Sequence, residues 1–255
     1  MLFFPNAKVN LGLNVVERRI DGYHNIETLF VPVPGLCDIL EVLYSDHFEM
    51  VLEGQPFDGA PEDNICVRAY ELLAADFDLP PVRLILYKRI PVGAGLGGGS
   101  SDAAFTLKAL NRMCSLGLSD AQLAGYAARL GSDCPFFIYN RPMMASGRGE
   151  ILTPFDRCPN RSGMTAGLDI RVYPQPVFVS TREAYAGITP ARPARPIAEI
   201  VSRPVSEWKD LLVNDFEKTV FAAHPELAAA KQKLYDDGAL YASMSGSGSA
   251  LFAIY

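Results

Sequence analysis

A glycine-rich stretch in the middle of the chain has the residue types that bind an anion through the backbone. It runs from Pro91 to Asp102 and reads Pro-Val-Gly-Ala-Gly-Leu-Gly-Gly-Gly-Ser-Ser-Asp. Glycine tolerates a positive φ and lets a ligand approach the main-chain N–H groups closely. A helix N-terminus behind such a loop adds further N–H groups and the positive end of the helix dipole. We therefore predict a phosphate-binding loop here, rather than a turn without a ligand.

Two common phosphate-binding motifs fit this stretch incompletely. A Walker loop needs a lysine after its last glycine, and no lysine follows Gly99. The spacing Gly93-x-Gly95-x-x-Gly98 matches the dinucleotide fingerprint of nicotinamide-dependent dehydrogenases. That fold needs an acidic residue about 20 positions on, at the end of a strand. Asp120 is at that distance but lies in a predicted helix cap, so a dehydrogenase is the weaker alternative.

The residues around the glycine-rich stretch predict the elements that position it. Residues 82–90 are rich in branched and aromatic side chains, which predicts a strand before the loop. Apolar residues at helical spacing predict a helix from the loop to about Met113, with Ser100 or Ser101 as its N-cap. The order of strand, glycine loop and helix is typical of phosphate sites.

A second group of polar side chains lies on a predicted strand near the N-terminus. Residues 7–15 alternate between apolar and polar side chains, which predicts a half-buried strand. Its polar face carries Lys8, Asn10 and Asn14, with Gly12 between them. Exposure to solvent is the usual reason for such a face. A single lysine flanked by asparagine and glycine also suits a ligand-binding surface.

Several other polar positions have both a structural and a functional interpretation. Asp133 opens a short apolar segment, where a carboxylate is either a helix cap or a functional group. Asn64 suits a helix cap, and Tyr23-His24 suits a turn with an exposed aromatic ring. The second glycine loop, residues 245–249, suits a tight turn between two strands as well as a ligand contact.

The rest of the pattern predicts a mixture of strands and helices. A capping box at Ser119 predicts the start of one helix. The polar, irregular residues 155–166 suggest a boundary between domains 1–154 and 155–255. The other predicted strands are 26–33, 38–44, 48–52, a pair within 143–154, 239–243 and 250–255, and the other predicted helices are 64–77, a short one from Thr181, 206–221 and 225–237.

Composition excludes several classes of function. The 255 residues carry a net charge of −6, which argues against nucleic acid or an anionic membrane as the main partner. The five cysteines form no CxxC pair and the three histidines have no metal-ligand spacing, so a disulfide framework or a zinc site is not expected. No apolar run approaches the ~20 residues of a membrane span, and the first residues do not resemble a signal peptide. We expect a cytoplasmic enzyme.

Three stretches, in this order, resemble the motifs of the GHMP kinases. They are the Lys8 strand, residues 91–104 and residues 245–248. Further segments resemble the branch of that family whose alcohol substrate carries a cytidine diphosphate, in the non-mevalonate isoprenoid pathway. These segments are Ala7–Leu11, Asp21–His24, Leu130–Phe136, Gly147–Glu150 and Asn214–Glu217. The resemblance spans nearly the whole chain, although residues 155–200 match only loosely.

The resemblance implies a two-domain α+β fold. Its N-terminal ATP-binding domain is like domain 2 of ribosomal protein S5 (ribosomal-protein-S5-domain-2-like), and its C-terminal domain is a ferredoxin-like α/β sandwich. It also implies transfer of the γ-phosphoryl group of ATP, with Mg²⁺, to the 2-hydroxyl of a nucleotide-diphosphate alcohol. A GHMP kinase of homoserine or a mevalonate-type alcohol is the alternative, and an RNA-binding module is a more distant one. The expected state is a monomer or a homodimer, without nucleic acid or membrane as a partner.

The resemblance also implies roles for individual residues. Asp133 matches the general base, and Lys8 matches the ammonium that keeps it ionised. The residues implied to bind ATP are Asn64, Gly93, Ala94, Gly95, Leu96, Gly97, Gly98, Gly99, Ser100 and Ser101, with Ser100 or Ser101 facing Mg²⁺. The residues implied to bind the substrate are Asn10, Tyr23 by stacking on cytosine, His24 by hydrogen bonding, Gly246 and Gly248, with residues 174–179 as the other wall of the base pocket.

Overall fold

The computed structural model describes residues 1–55, 59–155 and 168–255. Its strands are β1 (Leu2–Phe3), β2 (Asn6–Arg18), β3 (His24–Cys37), β4 (Ile39–Tyr44), β5 (Glu49–Gly54), β6 (Val82–Lys88), β7 (Met143–Ser146), β8 (Ile151–Pro154), β9 (Ile170–Tyr173), β10 (Tyr241–Met244) and β11 (Leu251–Ile254). Its helices are α1 (Ile65–Ala74), α2 (Gly98–Met113), α3 (Asp120–Leu130), α4 (Cys134–Tyr139), α5 (Thr181–Tyr185), α6 (Ile197–Ile200), α7 (Phe216–Ala223) and α8 (Pro225–Asp236). Most of these elements lie where the sequence predicts them.

The chain separates into two compact units. Unit 1 contains residues 1–7, 34–92 and 97–140, and unit 2 contains residues 8–33, 93–96 and the described part of 141–255. The compact units therefore place residues 8–33, 93–96 and 141–154 together with the C-terminal residues. A single boundary after Pro154 would separate these residues from the C-terminal part. Residues 156–167, beside the predicted cut, lie outside the described part of the chain. The domains 1–154 and 155–255 stay a prediction.

Among its described residues, unit 1 combines a four-stranded sheet with four α-helices. The strand order is β1-β4-β6-β5, with β6 antiparallel to β4 and parallel to β5. Side chains along β6 alternate between buried and more exposed, as expected of a half-buried strand. Helix α2 packs against α1, α3 and α4 and also contacts β4. This central position of α2 holds the end of the glycine loop on a rigid element.

Local signals set the starts of two helices in unit 1. Asn64 caps α1, because its Oδ1 accepts a hydrogen bond of 2.9 Å from the N–H of Cys66. The predicted capping box at the start of α3 is confirmed. The Ser119 side chain accepts from the N–H of Gln122, and the Gln122 side chain accepts from the N–H of Ser119.

The described residues of unit 2 form two sheets and an apolar core. Residues 8–18 of β2 and 24–33 of β3 form a sheet of order β2-β3-β7-β8, and the other sheet has the order β10-β11-β9. The antiparallel pair β7–β8 confirms the predicted strand pair within 143–154. Apolar side chains from β2, β3, α5, α7, α8, β10 and β11 form the core.

The predicted helix over residues 206–221 is wrong over residues 206–215 and confirmed over residues 216–221. A short 3-10 turn covers Val205–Glu207, and α7 begins only at Phe216. Between them, the chain pairs with β2: the Leu13 N–H donates to Val213 O at 2.9 Å, and the Asp215 N–H donates to Leu13 O at 2.8 Å. These bonds join residues about 200 positions apart, and they override the helical spacing of the apolar side chains.

Both faces of β2 are buried. The apolar face faces the core as predicted, but Lys8 is only 3% exposed and Asn10 only 1%. The interpretation of these residues as a solvated face is therefore wrong. Gly12 has a φ of +68°, and a Cβ there would lie 2.7 Å from Leu212 Cδ1. A buried lysine and a buried asparagine need polar partners, so the surroundings of Lys8 and Asn10 are candidates for a functional site.

Candidate active site

The glycine loop contains three residues in the left-handed region. The φ angles are +70° at Gly93, +75° at Gly95 and +72° at Gly97. Residues with a Cβ atom are strained in this region, which explains the glycines at these three positions. Left-handed residues that alternate with right-handed ones form the backbone pattern of anion-binding nests.

Helix α2 begins earlier than the sequence suggests. Its N-cap is Gly97, not Ser100 or Ser101, and the Ser101 N–H donates to Gly97 O at 2.9 Å. The positive φ of Gly97 lets the chain turn into the helix at this point. The N–H groups of Gly98, Gly99 and Ser100 have no intrahelical acceptor, as in the first turn of any helix, and Gly97 has no side chain to cap them. These three donors and the helix dipole fit a phosphate group.

Asp133 lies at the N-terminus of a neighbouring helix in unit 1. It occupies the N-cap position of α4, but its side chain makes no capping hydrogen bond, contrary to the interpretation as a helix cap. The next residue, Cys134, lies close enough to Ser100, in the first turn of α2, for that side chain to lower the pKa of its thiol. Burial raises the pKa of Cys134 to about 11, so its thiol stays protonated at neutral pH. Asp133 is thus half-buried next to an unreactive thiol.

The start of α1 lies beside the first turn of α2. A Cβ on Gly99 would be 3.9 Å from Ile65 Cγ2, and Ile65 directly follows the cap residue Asn64. Asn64 is 5% exposed, and its side-chain oxygen is used by the cap. The structural interpretation of Asn64 is therefore confirmed, and its predicted contact with ATP stays a prediction.

A buried ion cluster that sequence reasoning missed lies beside the first turn of α2. Lys88 Nζ donates to Asp38 Oδ2 at 2.5 Å and to Asp102 Oδ2 at 2.6 Å. Asp38 Oδ1 also accepts from the N–H groups of Arg89 and Ile90, at 2.5 and 2.8 Å. The cluster therefore ties the first turns of α2 to the backbone that enters the glycine loop.

The three charges of this cluster perturb one another. Burial raises the pKa of Asp102 well above its ordinary value, and the charge of Lys88 only partly offsets this. Burial lowers the pKa of Lys88, but the charges of Asp102 and Asp38 outweigh it and the net shift is upward. The three residues are far apart in sequence, so their contacts could not be predicted. The one available signal was the position of Lys88 on the buried face of β6.

Lys8 in unit 2 is held by a chain of hydrogen bonds. Its Nζ donates to Asn10 Oδ1 at 2.7 Å and to Gly95 O at 3.0 Å. The same Nζ lies 5.1 Å from the centroid of the Phe30 ring. Asn10 in turn donates to Thr28 Oγ1 at 3.0 Å. Such a satisfied network fixes a buried ammonium group in one direction. The structure thus brings together three of the predicted site residues, Lys8, Asn10 and Gly95.

The second glycine loop packs directly on Gly95. Ser245 Oγ donates to Gly95 O at 2.9 Å, the same carbonyl oxygen that accepts from Lys8. A Cβ on Gly95 would lie 2.0 Å from Ser245 O, so only glycine fits there. A Cβ on Gly246 would lie 3.4 Å from Asn10 Oδ1. Gly246, a predicted substrate-binding residue, therefore lies next to Asn10, which accepts a hydrogen bond from Lys8.

Asn214, which had no predicted role, holds the second glycine loop in place. It is 2% exposed, and its Nδ2 donates to Met244 O and to Gly246 O, both at 2.8 Å. A Cβ on Gly248 would lie 2.6 Å from Met244 Sδ, so Gly248 packs on its own loop. The segment Asn214–Glu217 was visible in the sequence as part of the resemblance, but its contacts are too distant in sequence to be predicted.

Tyr23 and His24, the predicted nucleobase contacts, have different surroundings. Tyr23 is 56% exposed, and the guanidinium carbon of Arg148 lies 5.0 Å from its ring centroid. His24 is half-buried and stacks on Tyr185, with ring centroids 4.7 Å apart and an angle of 17°. Burial, helped by the charge of Arg18, lowers the pKa of His24. The imidazole is therefore neutral at neutral pH, with one nitrogen that donates and one that accepts.

Phe178 is the aromatic residue of the predicted wall at 174–179. It is 72% exposed, and a Cβ on Gly93 would lie 3.0 Å from its Cε2 atom. An exposed aromatic ring beside the glycine loop suits a planar ligand, and its predicted role stays a prediction.

Other features of the described residues do not involve the predicted site residues. A cavity of about 640 Å³ in unit 2 is lined by Asn14 and by parts of 187–219, and no predicted site residue lines it. Within the described ranges, no helix is long and apolar enough to cross a membrane. The same residues contain no group of three or more His, Cys, Asp or Glu side chains arranged to hold a metal ion.

Two family models match the chain. The model described as GHMP kinases N terminal domain matches residues 64–141, and the model described as GHMP kinases C terminal matches residues 197–255. The first match contains the glycine loop and Asp133. The second contains Asn214 and the second glycine loop.

Curated relatives match over the whole chain. The 4-diphosphocytidyl-2-C-methyl-D-erythritol kinases of Bacteroides fragilis and Bacteroides thetaiotaomicron are 49% and 51% identical to it. The enzyme of the same name from Porphyromonas gingivalis is 48% identical. Each alignment covers 100% of this chain and 92% of the relative.

Solved structures of kinases also match the whole or nearly the whole chain. A crystal structure of 4-(cytidine 5'-diphospho)-2C-methyl-D-erythritol kinase matches with a TM-score of 0.82 and 36% identity, over 100% of this chain and 90% of the other. The homoserine kinase of Cytophaga hutchinsonii matches with a TM-score of 0.69 and 18% identity, over 98% and 84%, which shows the fold alone. The predicted two-domain α+β architecture is confirmed. With its glycine loops, its buried Lys8 network and full-length relatives of this kind, the chain belongs to the GHMP kinase family.

Proposed function

We propose that this chain transfers the γ-phosphoryl group of ATP to the 2-hydroxyl of 4-diphosphocytidyl-2-C-methyl-D-erythritol. The observation that carries the proposal is the similarity of the whole chain, at 45–51% identity, to relatives named as kinases of that alcohol. The local geometry of each unit supplies groups that suit the reaction.

The phosphate groups of ATP would be held by backbone donors. Gly98, Gly99 and Ser100 offer N–H groups that lack an intrahelical acceptor. Phosphoryl transfer depends mainly on positioning and on electrostatic stabilisation, and preformed N–H donors supply both. Mg²⁺, when bound with ATP, would neutralise charge on the phosphate oxygens. The described residues hold no ready-made carboxylate cage, which fits an ion bound mainly by phosphates, water and a hydroxyl such as that of Ser100 or Ser101.

Asp133 would act as the general base. It accepts the proton of the substrate hydroxyl while the hydroxyl oxygen forms a bond to the γ-phosphorus. The bond from that phosphorus to the β–γ bridging oxygen breaks, and ADP leaves with the bridging oxygen. A half-buried carboxylate that does not cap its helix suits this role.

Lys8 would stabilise negative charge on the reacting oxygens. Its ammonium group is fixed by Asn10 Oδ1 and Gly95 O, so it needs no reorganisation during the reaction. Lys8 belongs to unit 2 and Asp133 to unit 1, and the predicted pairing of the two side chains stays a prediction.

Tyr23 and His24 would bind the cytosine of the substrate. The exposed ring of Tyr23 offers a stacking surface, and the neutral imidazole of His24 offers a hydrogen bond. Homoserine and mevalonate have no base to occupy these two side chains. The alternative of another alcohol substrate is therefore disfavoured.

A coupled assay of ADP release tests the proposal. The purified chain is given ATP, Mg²⁺ and one of three alcohols: the cytidylyl substrate, homoserine or mevalonate. We expect turnover with the cytidylyl substrate alone. Asp133→Asn should lower kcat by about 10²–10⁴, as expected for loss of a general base. Asp120→Asn is the matched control, because Asp120 is exposed in the first turn of α3, and it should keep full turnover. Equal turnover of homoserine, or an active Asp133→Asn variant, would contradict the proposal.

A further inference from the structure

We propose that the cavity of about 640 Å³ in unit 2 binds a small organic anion with an apolar body. The cavity is lined by parts of residues 187–200 and 210–219 and by Asn14 of β2, and none of the predicted site residues lines it. Its volume lies within the range of about 300–1,000 Å³ that is usual for small-molecule sites. The inference does not depend on the proposed function.

A buried asparagine faces this cavity without a protein partner. Asn14 is 5% exposed, and its side chain forms no hydrogen bond with any residue of the described ranges. Its neighbours along β2, Leu13 and Val15, belong to the apolar core, so the alternation of the strand directs Asn14 to the opposite face. A buried amide costs free energy unless its donor and its acceptor find partners. Both groups of Asn14 are therefore available to a molecule in the cavity.

Apolar side chains supply another part of the lining. Ile197, Ile200 and Leu212 are all buried and all line the cavity. Two of them pack on the backbone of β2, because a Cβ on Gly12 would lie 2.7 Å from Leu212 Cδ1 and 3.2 Å from Ile197 Cδ1. A wall of this kind favours a ligand with an apolar body over a fully hydrated ion.

Two cations of the lining have no ionic partner. Arg192 and Lys218 are exposed, and neither forms an ion pair with any residue that the structure describes. Arg195 differs from them, because its Nη1 lies 3.3 Å from Glu199 Oε1. Arg192 and Lys218 are therefore the charged groups that can bind an anion where the cavity opens to solvent.

Most acidic side chains of the lining are engaged with other groups. Glu217 Oε2 accepts from Lys231 Nζ at 2.6 Å, and its other oxygen accepts from a backbone N–H at 2.8 Å. Asp215 Oδ2 accepts from the N–H of Val15 at 2.7 Å. Among the described lining residues, Asp210 is the one carboxylate without such a partner. Two unpaired cations against one unpaired carboxylate favour an anionic ligand over a cationic one.

Fluorescence titration of the whole chain with 8-anilinonaphthalene-1-sulfonate tests the inference. This probe joins a sulfonate to an apolar aromatic body, and its emission rises when that body leaves water. We expect one probe to bind per chain, and neither ATP nor cytidine 5'-diphosphate should displace it. N-phenyl-1-naphthylamine, which has the same rings without the sulfonate, should bind more weakly. Displacement by either nucleotide, or equal affinity of the uncharged probe, would overturn the inference.

Charge variants test which cations hold the anion. Arg192→Gln combined with Lys218→Gln should weaken binding of the sulfonate probe by about 2- to 30-fold, the worth of two exposed ion pairs. Arg182→Gln combined with Lys233→Gln is the matched control, because these two exposed cations of unit 2 do not line the cavity. The control should keep the wild-type affinity. Equal affinities of the two double variants would also overturn the inference.

NMR of the Asn14 side chain reports directly on the position of the probe. Asn14→Leu keeps the approximate size of the side chain and removes one pair of amide signals, which assigns that pair in the wild type. If Asn14→Leu does not fold by circular dichroism, Asn14→Ser serves the same purpose. The sulfonate probe should shift the Asn14 signals in step with the fluorescence titration. Asn14 signals that stay unchanged at saturating probe would show that the probe binds elsewhere, which would refute the proposed site.

Discussion

Replacement of Lys88 by methionine should destabilise the protein severely. The Lys88→Met variant keeps most of the side-chain volume but removes the ammonium group that bridges Asp38 and Asp102. The side chains of Lys88, Asp38 and Asp102 are 6%, 0% and 2% exposed, so water cannot replace the lost partner. Removal of one member of a buried ion pair typically costs about 3–5 kcal/mol. We expect the lower end of this range, because Asp102 can relieve part of the cost by binding a proton.

A matched variant separates the charge of Asp102 from its shape. Asp102→Asn is isosteric and uncharged, and its side-chain oxygen can still accept from Lys88. Asp38 keeps its bonds to the N–H groups of Arg89 and Ile90 in both variants. We therefore expect Asp102→Asn to cost less than about 1 kcal/mol, in the range of ordinary mild substitutions.

Urea unfolding followed by circular dichroism measures both effects. A lower midpoint at an unchanged m-value reports a loss of stability rather than a change of the unfolded state. A loss below about 1 kcal/mol in Lys88→Met would refute the reasoning, given the usual cost of breaking a buried pair. An equal loss in Asp102→Asn would refute it as well, since the charge of Asp102 would then matter as much as that of Lys88.

The pH dependence of unfolding adds an independent check. Burial raises the folded-state pKa of Asp102, so the folded state binds more protons than the unfolded state. The contribution of Asp102 to stability is then complete below the unfolded value of about 3.9, and it is lost as pH rises toward the folded pKa. Asp102→Asn should remove this downward slope. An unchanged slope in the variant would show that Asp102 is not the group responsible.

Three further substitutions test other contacts. Gly95→Ala should prevent folding or lower the melting temperature far more than Gly117→Ala, because both glycines have a positive φ but only Gly95 faces a backbone atom, Ser245 O at 2.0 Å. Thermal unfolding of the pair checks this, and equal losses would contradict it. Asn214→Leu should cost about 1–3 kcal/mol for each carbonyl of the second glycine loop that loses its donor, measured by urea unfolding. An undiminished midpoint would show that the loop does not depend on it. Ser119→Ala should cost about 1 kcal/mol through loss of the capping box, and a loss below the error of the same assay would contradict that role.

Signals confined to neighbouring residues predicted the local structure well. The capping box at Ser119 and the strands β2 and β6 appear as predicted. These features depend on contacts within a few residues, which the sequence displays directly. The N-cap of α2 is the exception, because the left-handed Gly97 starts the helix before the serines that usually cap one.

Contacts between distant residues could not be predicted in the same way. Leu13 forms backbone hydrogen bonds with residues 213 and 215, which are incompatible with a helix through this part of the predicted 206–221 segment. No residue near either segment indicates this pairing in the sequence. The burial of Lys8 and the cluster around Lys88 also depend on partners far along the chain. For the candidate site, the residue types were visible in the sequence, but the hydrogen bonds that orient them were not.

Phosphoryl transfer to the cytidylyl alcohol tests the central claim most directly. The purified chain is incubated with ATP, Mg²⁺ and 4-diphosphocytidyl-2-C-methyl-D-erythritol, and the products are followed by ³¹P NMR. We predict a new phosphomonoester signal from the phosphorylated 2-hydroxyl and one equivalent of ADP. Both should form about 10²–10⁴ times more slowly with Asp133→Asn. Hydrolysis of ATP without a phosphorylated alcohol, or transfer to homoserine or mevalonate instead, would contradict the account.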